Sequence, residues 1–236
     1  MMDARDAALH ASCPVIAAPR FGPLPPMENG QRVIVAANGS FAQFKLDWLD
    51  CITALSLEPP AIRLPFGTIQ EHMRFSFGML PIMLIEDFIA EGRARLPNEA
   101  AGVLIFSRSI GALRLAMCEP LRTSPVRIAY RRPAMAPDET VAVDLHTHGY
   151  APPCWSEEDD RDDLGIKVAG VFGLLGEPSP AARFRLVLNG FYRSLDRHPW
   201  AGDRGVVGSN AVCGLGNASL GRMRGLFNRW SAKCWR

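Results

Sequence analysis

The 236-residue chain contains no run of ~18 uninterrupted apolar residues, the length a helix needs to cross a bilayer, so no membrane span is expected. A dominant sign of charge is also missing. With 26 Lys and Arg against 24 Asp and Glu, the formal charge of +2 gives no reason from the total alone to expect a nucleic-acid or membrane partner. Cysteine is sparse. Cys13, Cys51, Cys118, Cys154, Cys213 and Cys234 include no C-x-x-C pair, and they read as reduced packing residues rather than a disulfide framework. The opening "MMDARDAALHASCPVIAAPRFG" carries acids early and no basic segment followed by a long apolar run, so no signal peptide is expected and the cytoplasm is the expected compartment. No internal repeat is found. What is present, 48% hydrophobic and 21% charged residues, is the composition of a globular protein of one or two domains.

Residues 1–30 hold five prolines and little periodicity, which predicts a tail or wrapping segment. "RVIVAANGSFAQFKL" then sets two apolar runs around Asn38-Gly39, a dipeptide suited to the positive φ angles of a type I′ turn, and predicts a β-hairpin. A Pro-rich connector ends this small N-terminal module, at residues 31–78. From residue 81 the pattern changes. "PIMLIEDFIAEGRARLP" places Ile82, Ile85, Phe88 and Ile89 at helical spacing, and Pro97 closes it. "EAAGVLIFS", "ALRLAMCE" and "VRIAYRR" follow as short strands, "TVAVDLHTH" as a strand of strict alternation, and "IKVAGVFGLLG" and "RFRLVLNGFYRSL" as two more. The expected class is α/β, a mixed sheet sandwiched by helices over residues 79–197. A Gly-rich basic tail, 198–236, ends in "SLGRMRGLFNRWSAKCWR". Such a tail suits an anionic surface or a partner protein, or packs on its own domain.

The chemistry concentrates in "HTHGYAPPCWSEED", residues 146–159. Residues two apart on a strand face the same way, so Val141, Val143 and Leu145 share one face and Asp144, His146 and His148 the other. Two imidazoles at a strand end can reach one ion, and with one carboxylate they make three zinc ligands and leave a fourth position for water. The plain explanation of "SEEDDRDD" is a helix start with Ser156 as N-cap and Asp159 three residues on. For the histidines it is an exposed strand end. The conjunction His-x-His-x(7)-Ser-x-x-Asp, expected by chance on the order of once in a few thousand sequences of this composition, favours the metal.

His146, His148, Ser156 and Asp159 resemble, in type and spacing, the pattern of the JAMM (JAB1/MPN/Mov34) metalloproteases. "NEAAGVLIF" supplies Glu99 and Gly102 where that family has a glutamate ahead of an apolar strand. More narrowly, residues 80–197 look like the prokaryotic JAB group. With the N-terminal module they are similar to the PRTRC system A group, encoded in mobile elements beside a ThiF/E1-like protein and a ubiquitin-like protein. The resemblance implies a JAB/MPN-like fold and one Zn2+ per chain on His146, His148 and Asp159. It implies Glu99 as general base and acid, Ser156 as oxyanion donor, and an amide at the C-terminus of a ubiquitin-like protein or other peptide as substrate. Zinc would bring a water's pKa from ~15.7 to about 7. The ThiF/E1-like protein is the further implied partner. One departure stands out: the family has proline after the second histidine, and here Gly149 is expected to free the loop. Cys154 is read as loop packing, because both nearby histidines are committed to zinc.

Two other readings compete. "DLHTH" also resembles the opening of PHP-type phosphoesterases and amidohydrolases, barrels of ~250 residues that need further ligands downstream. After His148 come 88 residues with His198 as the sole histidine, so this reading is disfavoured. RadC-like proteins share the spacing without an established protease role. A non-catalytic JAB-like binding or scaffold subunit of a plasmid-linked complex is the alternative from another class. Nucleic acid as a partner of the basic tail would require binding that falls steeply with salt.

Overall fold

The computed structural model describes residues 2–56 and 64–195. They fall into two compact units, one made of the residues up to 80 together with 106–113, the other of the remainder. The basic tail lies outside the described residues.

The first unit begins with helix α1 (Ala4–Ser12), which buries no residue, and strand β1 (Val15–Ala17). Strands β2 (Gly30–Ala36), β3 (Gly39–Leu46), β4 (Leu49–Ser56) and β5 (His72–Phe75) complete a five-stranded sheet in sequential order. The opening segment, expected as a tail or wrapping segment, contributes a strand parallel to β2. Ala18, Ile34, Ala36, Phe41 and Ile52 form the core beneath it. The expected hairpin is present, one residue earlier than the Asn-Gly rule predicts: Ala36 pairs with Gly39, so Ala37 and Asn38 make the turn. The reason is a tertiary contact. The Asn38 amide donates to Ile69 O at 2.8 Å and accepts from Ile69 N at 3.0 Å, and neither Ala37 nor Asn38 takes the positive φ of a type I′ turn.

The second unit opens with helix α2 (Ile82–Ala94), whose Ile85 and Phe88 are buried as the periodicity predicts. Strands β6 (Ala101–Ser107), β7 (Ala112–Met117), β8 (Glu119–Ser124), β9 (Arg127–Arg131) and β10 (Glu139–Thr147) follow, then helix α3 (Glu157–Asp162) and strands β11 (Ile166–Gly173), β12 (Ala181–Leu188) and β13 (Phe191–Leu195). The main sheet runs β13-β12-β11-β10-β6-β7, and β8-β9 is a separate hairpin. The sheet is mixed: β10 and β11 are parallel, while β11, β12 and β13 are antiparallel neighbours. Fold class is thus α/β as expected, rich in sheet and with few helices. "RFRLVLNGFYRSL" is two strands instead of one. Asn189 and Gly190, with φ of 51° and 91°, form the two-residue turn between β12 and β13, so the positive-φ Asn-Gly signal belongs here and not at Asn38-Gly39.

Phe88 of α2 packs on Phe172 of β11, ring centroids 5.5 Å apart, and Phe172 meets Phe184 of β12 edge-on at 5.7 Å. A Cβ on Gly102 would lie 3.1 Å from the Phe88 ring, so glycine lets the helix sit close on β6. The topology also positions the chemistry. Parallel strands need a crossover. The one from β10 to β11 leaves the carboxyl end of β10 at His148 and carries Ser156 and α3 before it returns.

Candidate metal centre

His146, near the end of β10, and His148, just past it, bring their Nε2 atoms to 3.2 Å. Asp159, on the first turn of α3, places Oδ1 3.2 Å from His146 Nε2. Two ligands ~2.05 Å from a tetrahedral zinc are about 3.3 Å apart, so both separations match an edge of that tetrahedron. The three form, among the described residues, a group whose donor atoms all lie within 4.8 Å of one another. Burial, reinforced by His146, pushes the His148 imidazole down to about 4, which keeps it neutral and able to offer a nitrogen lone pair at pH 7. Asp159 serves two ends at once. While Oδ1 faces His146, Oδ2 accepts from Ser156 N and Ser156 Oγ, each at 2.7 Å, and Ser156 Oγ accepts from Asp159 N at 3.1 Å. The capping box foreseen from "SEEDDRDD" is therefore present, and it orients the carboxylate instead of competing with it.

Glu99 lies between α2 and β6, and it is tied to the same strand end. Ala100 N donates to Thr147 Oγ1, and Thr147 N donates to Ala100 O, both at 2.9 Å, so the residue after Glu99 is locked to the residue between the two histidines. Its side chain is buried, 6% exposed, and borders a cleft of about 220 Å³ shared with Arg95, Cys118, Thr123 and Ile128. Burial first, and then the negative charges of Asp159 and Glu158, push the Glu99 carboxyl up to about 8. The Ser156 hydroxyl has a single proton, directed at Asp159. Cys154 Sγ stands 3.8 Å from His148 Nδ1, behind the imidazole and away from the face toward His146.

Residues 81–187 match the family model described as prokaryotic homologs of the JAB domain. This segment is a prokaryotic JAB domain. Ahead of it, residues 3–76 match a family described as a domain of unknown function, DUF2016. Among solved structures the chain is similar to the solution structure of protein DSY2949 from Desulfitobacterium hafniense. That protein is 21% identical, the match covers 48% of this chain and 86% of that one, and the TM-score is 0.37. None of the curated proteins matches.

Within the JAB domain, Gly149 does not free the loop as expected. Its φ is +53°, an angle closed to proline, and a Cβ there would come within 2.9 Å of Pro97 O. Its own carbonyl accepts from Leu175 N, and His148 O accepts from Ala151 N, both at 2.9 Å. The loop is pinned at both sides. Asp144, which shares the strand face of the histidines by sequence, is turned to other work: it accepts from Tyr130 Oη and Lys167 Nζ, each at 3.0 Å, and from Arg132. Reading the sequence for ligands missed Thr147, Trp155, Lys167 and Arg185. A signal for one of them existed, since Lys167 interrupts the otherwise apolar strand β11 and a buried cation needs partners, whereas Arg185 shares β12 with the exposed Arg183.

Proposed function

We propose that the JAB domain is a metal-dependent amide hydrolase, a JAMM-type metallopeptidase with zinc on His146, His148 and Asp159. It acts at the C-terminus of a ubiquitin-like protein or its precursor. The observation that carries this reading is the pair of 3.2 Å separations among the three donor atoms. When bound, the metal supplies an activated water and a Lewis acid for the scissile carbonyl.

The protein's own groups do the rest. Burial raises the Glu99 carboxyl above its ordinary 4.5, which suits a group that takes a proton from the nucleophile and returns it to the leaving amine. Ser156 turns its hydroxyl from Asp159 to the developing oxyanion, where a fixed donor contributes ~2.7–4 kcal/mol in comparable sites. An extended tail pairs with a sheet edge and presents its carbonyl to the site. The ThiF/E1-like protein implied by the PRTRC resemblance is the proposed partner.

A second reading, a non-catalytic docking subunit, has one observation in its favour: the capping box accounts for Ser156 and Asp159 without any metal. A reporter carrying a ubiquitin-like C-terminal tail in amide linkage separates the two. The wild type is expected to cleave it, Glu99→Gln to keep its metal and lose turnover, and His146→Ala to lose both. Equal cleavage by Glu99→Gln removes Glu99 from the mechanism. Failure of the metal-loaded wild type across a panel of such precursors favours the docking subunit.

A further inference from the structure

Helix α3 has little of its own to hold it in place beyond the capping box and an exposed Arg161–Glu157 pair. It spans six residues, five of them acidic, and buries none of them. So short a helix is unstable alone, and Asp is a poor helix former. Yet it carries Asp159: the capping box orients that carboxylate within the turn, but the placement of the turn against the sheet must come from outside the helix.

The buried outside support centres on one side chain from the sheet, while Arg127 of β9 adds an exposed ion pair to Glu158 at 2.6 Å. Arg185 of β12 is buried, and its guanidinium bridges two residues of the α3 segment: Nη1 donates to Asp160 Oδ1 at 2.6 Å, while Nε and Nη2 donate to Asp163 Oδ2 at 2.9 and 2.6 Å. Its two faces are covered by Trp155 and Tyr192, each ring centroid 4.1 Å from the guanidinium carbon. Tyr192 Oη also donates to Asp160 O at 2.9 Å. Trp155 in turn meets the His146 ring edge-on at 6.3 Å. Arg185 therefore touches, through one intermediary each, two of the three proposed ligands. Lys167 extends the cluster by joining Asp163 at 2.8 Å to Asp144 at 3.0 Å, and Arg132 closes it on Asp144. Three carboxylates face three cations, and the buried part, Asp144 and Asp163 with Lys167 and Arg185, is itself balanced.

We infer that Arg185 is a positioning residue of the metal centre: clamped between Trp155 and Tyr192, it fixes α3 through Asp160 and Asp163 and thereby sets Asp159 against His146. The inference rests on the metal reading above. Lysine cannot replace it, because an ammonium lacks the planar fork that bridges two carboxylates between two rings.

The test is titration of the purified protein with Co2+, recording affinity and ligand-field spectrum for the wild type, Arg185→Lys, Asp160→Asn, Arg114→Ala and His146→Ala. Arg114 pairs with Glu139 at 2.6 Å and touches no residue of α3, so its variant controls for loss of an ion pair. Arg185→Lys and Asp160→Asn are expected to weaken Co2+ about tenfold or more, in the range seen for supporting partners of metal ligands, and to alter the spectrum. Arg114→Ala is expected to change neither. Asp160 is half exposed, so its variant folds even where Arg185→Lys does not and keeps the question open to refutation. Unchanged affinity and spectrum in a folded Arg185→Lys or Asp160→Asn overturns the inference and leaves the metal centre standing. A wild type that takes no Co2+ overturns the metal centre and the inference with it.

Discussion

Replacing Glu99 by Gln should make the metal-free protein more stable at alkaline pH, not less. The Glu99 carboxyl rises from its ordinary 4.5 to about 8 because burial and the neighbouring acids penalise its charge. The folded state therefore holds a proton that the unfolded state releases. Between pH 4.5 and 8 the folded state binds more protons, and stability falls as pH rises through that window. Each pH unit of displacement corresponds to ~1.4 kcal/mol. The carboxyl borders an open cleft, and discounting for water there leaves on the order of 2–3 kcal/mol lost by pH 8. His148 works in the opposite direction lower down: its value of about 4 against an ordinary 6.5 makes stability fall as pH drops from 6.5 to 4. Comparing Glu99→Gln with wild type isolates the first effect, since both retain His148. Urea denaturation of the metal-free proteins from pH 5 to 8.5 reads it directly. The difference in stability should grow with pH in favour of the variant and level off above pH 8. A difference independent of pH would show that Glu99 is ionised throughout, and would remove the reason for placing proton transfer there.

Substitutions at two positions test the frame around the site. Gly149→Ala should cost about 1–2 kcal/mol for the left-handed backbone, and more for the contact with Pro97 O, while Gly149→Pro, demanding the opposite sign of φ, should cost more still. Urea midpoints equal to wild type for both would contradict the pinned loop. Thr147→Val removes the acceptor of Ala100 N at the fully buried join between the two strand ends, and should lower stability by about 1–3 kcal/mol. It should also weaken turnover of the tail reporter, because the join ties the residue after Glu99 to the residue between the two histidines. Unaltered turnover would uncouple Glu99 from Thr147.

Much of this was legible because local rules decide it. His146, His148, Ser156 and Asp159 are close in sequence, and strand periodicity followed by a capped helix start is enough to bring the two imidazoles and the capped carboxylate together. Helix α2 declared itself by spacing, and the strands by alternation or apolar runs. The losses came where a distant partner overrides a local preference. Asn38 is taken by Ile69, so its turn forms one residue early, and the Asn-Gly signal was satisfied at Asn189-Gly190 instead. Gly149 was read as slack, and only the approach of Pro97 O shows it as a fitted piece. Strand β8, "EPLRTS", has neither alternation nor β-branched residues beyond Thr123, and it is a strand because β9 pairs with it. Arg185 reads like its exposed neighbour Arg183 until the fold turns it inward against Asp160 and Asp163.

The most direct measurement of the central claim is metal content by mass spectrometry on protein purified without added metal, wild type beside His146→Ala. About one zinc per chain in the wild type, and none in the variant, is the predicted result. Protein that carries no metal and takes up none on titration with zinc would contradict it, and would leave His146, His148 and Asp159 as a strand end packed against a helix cap.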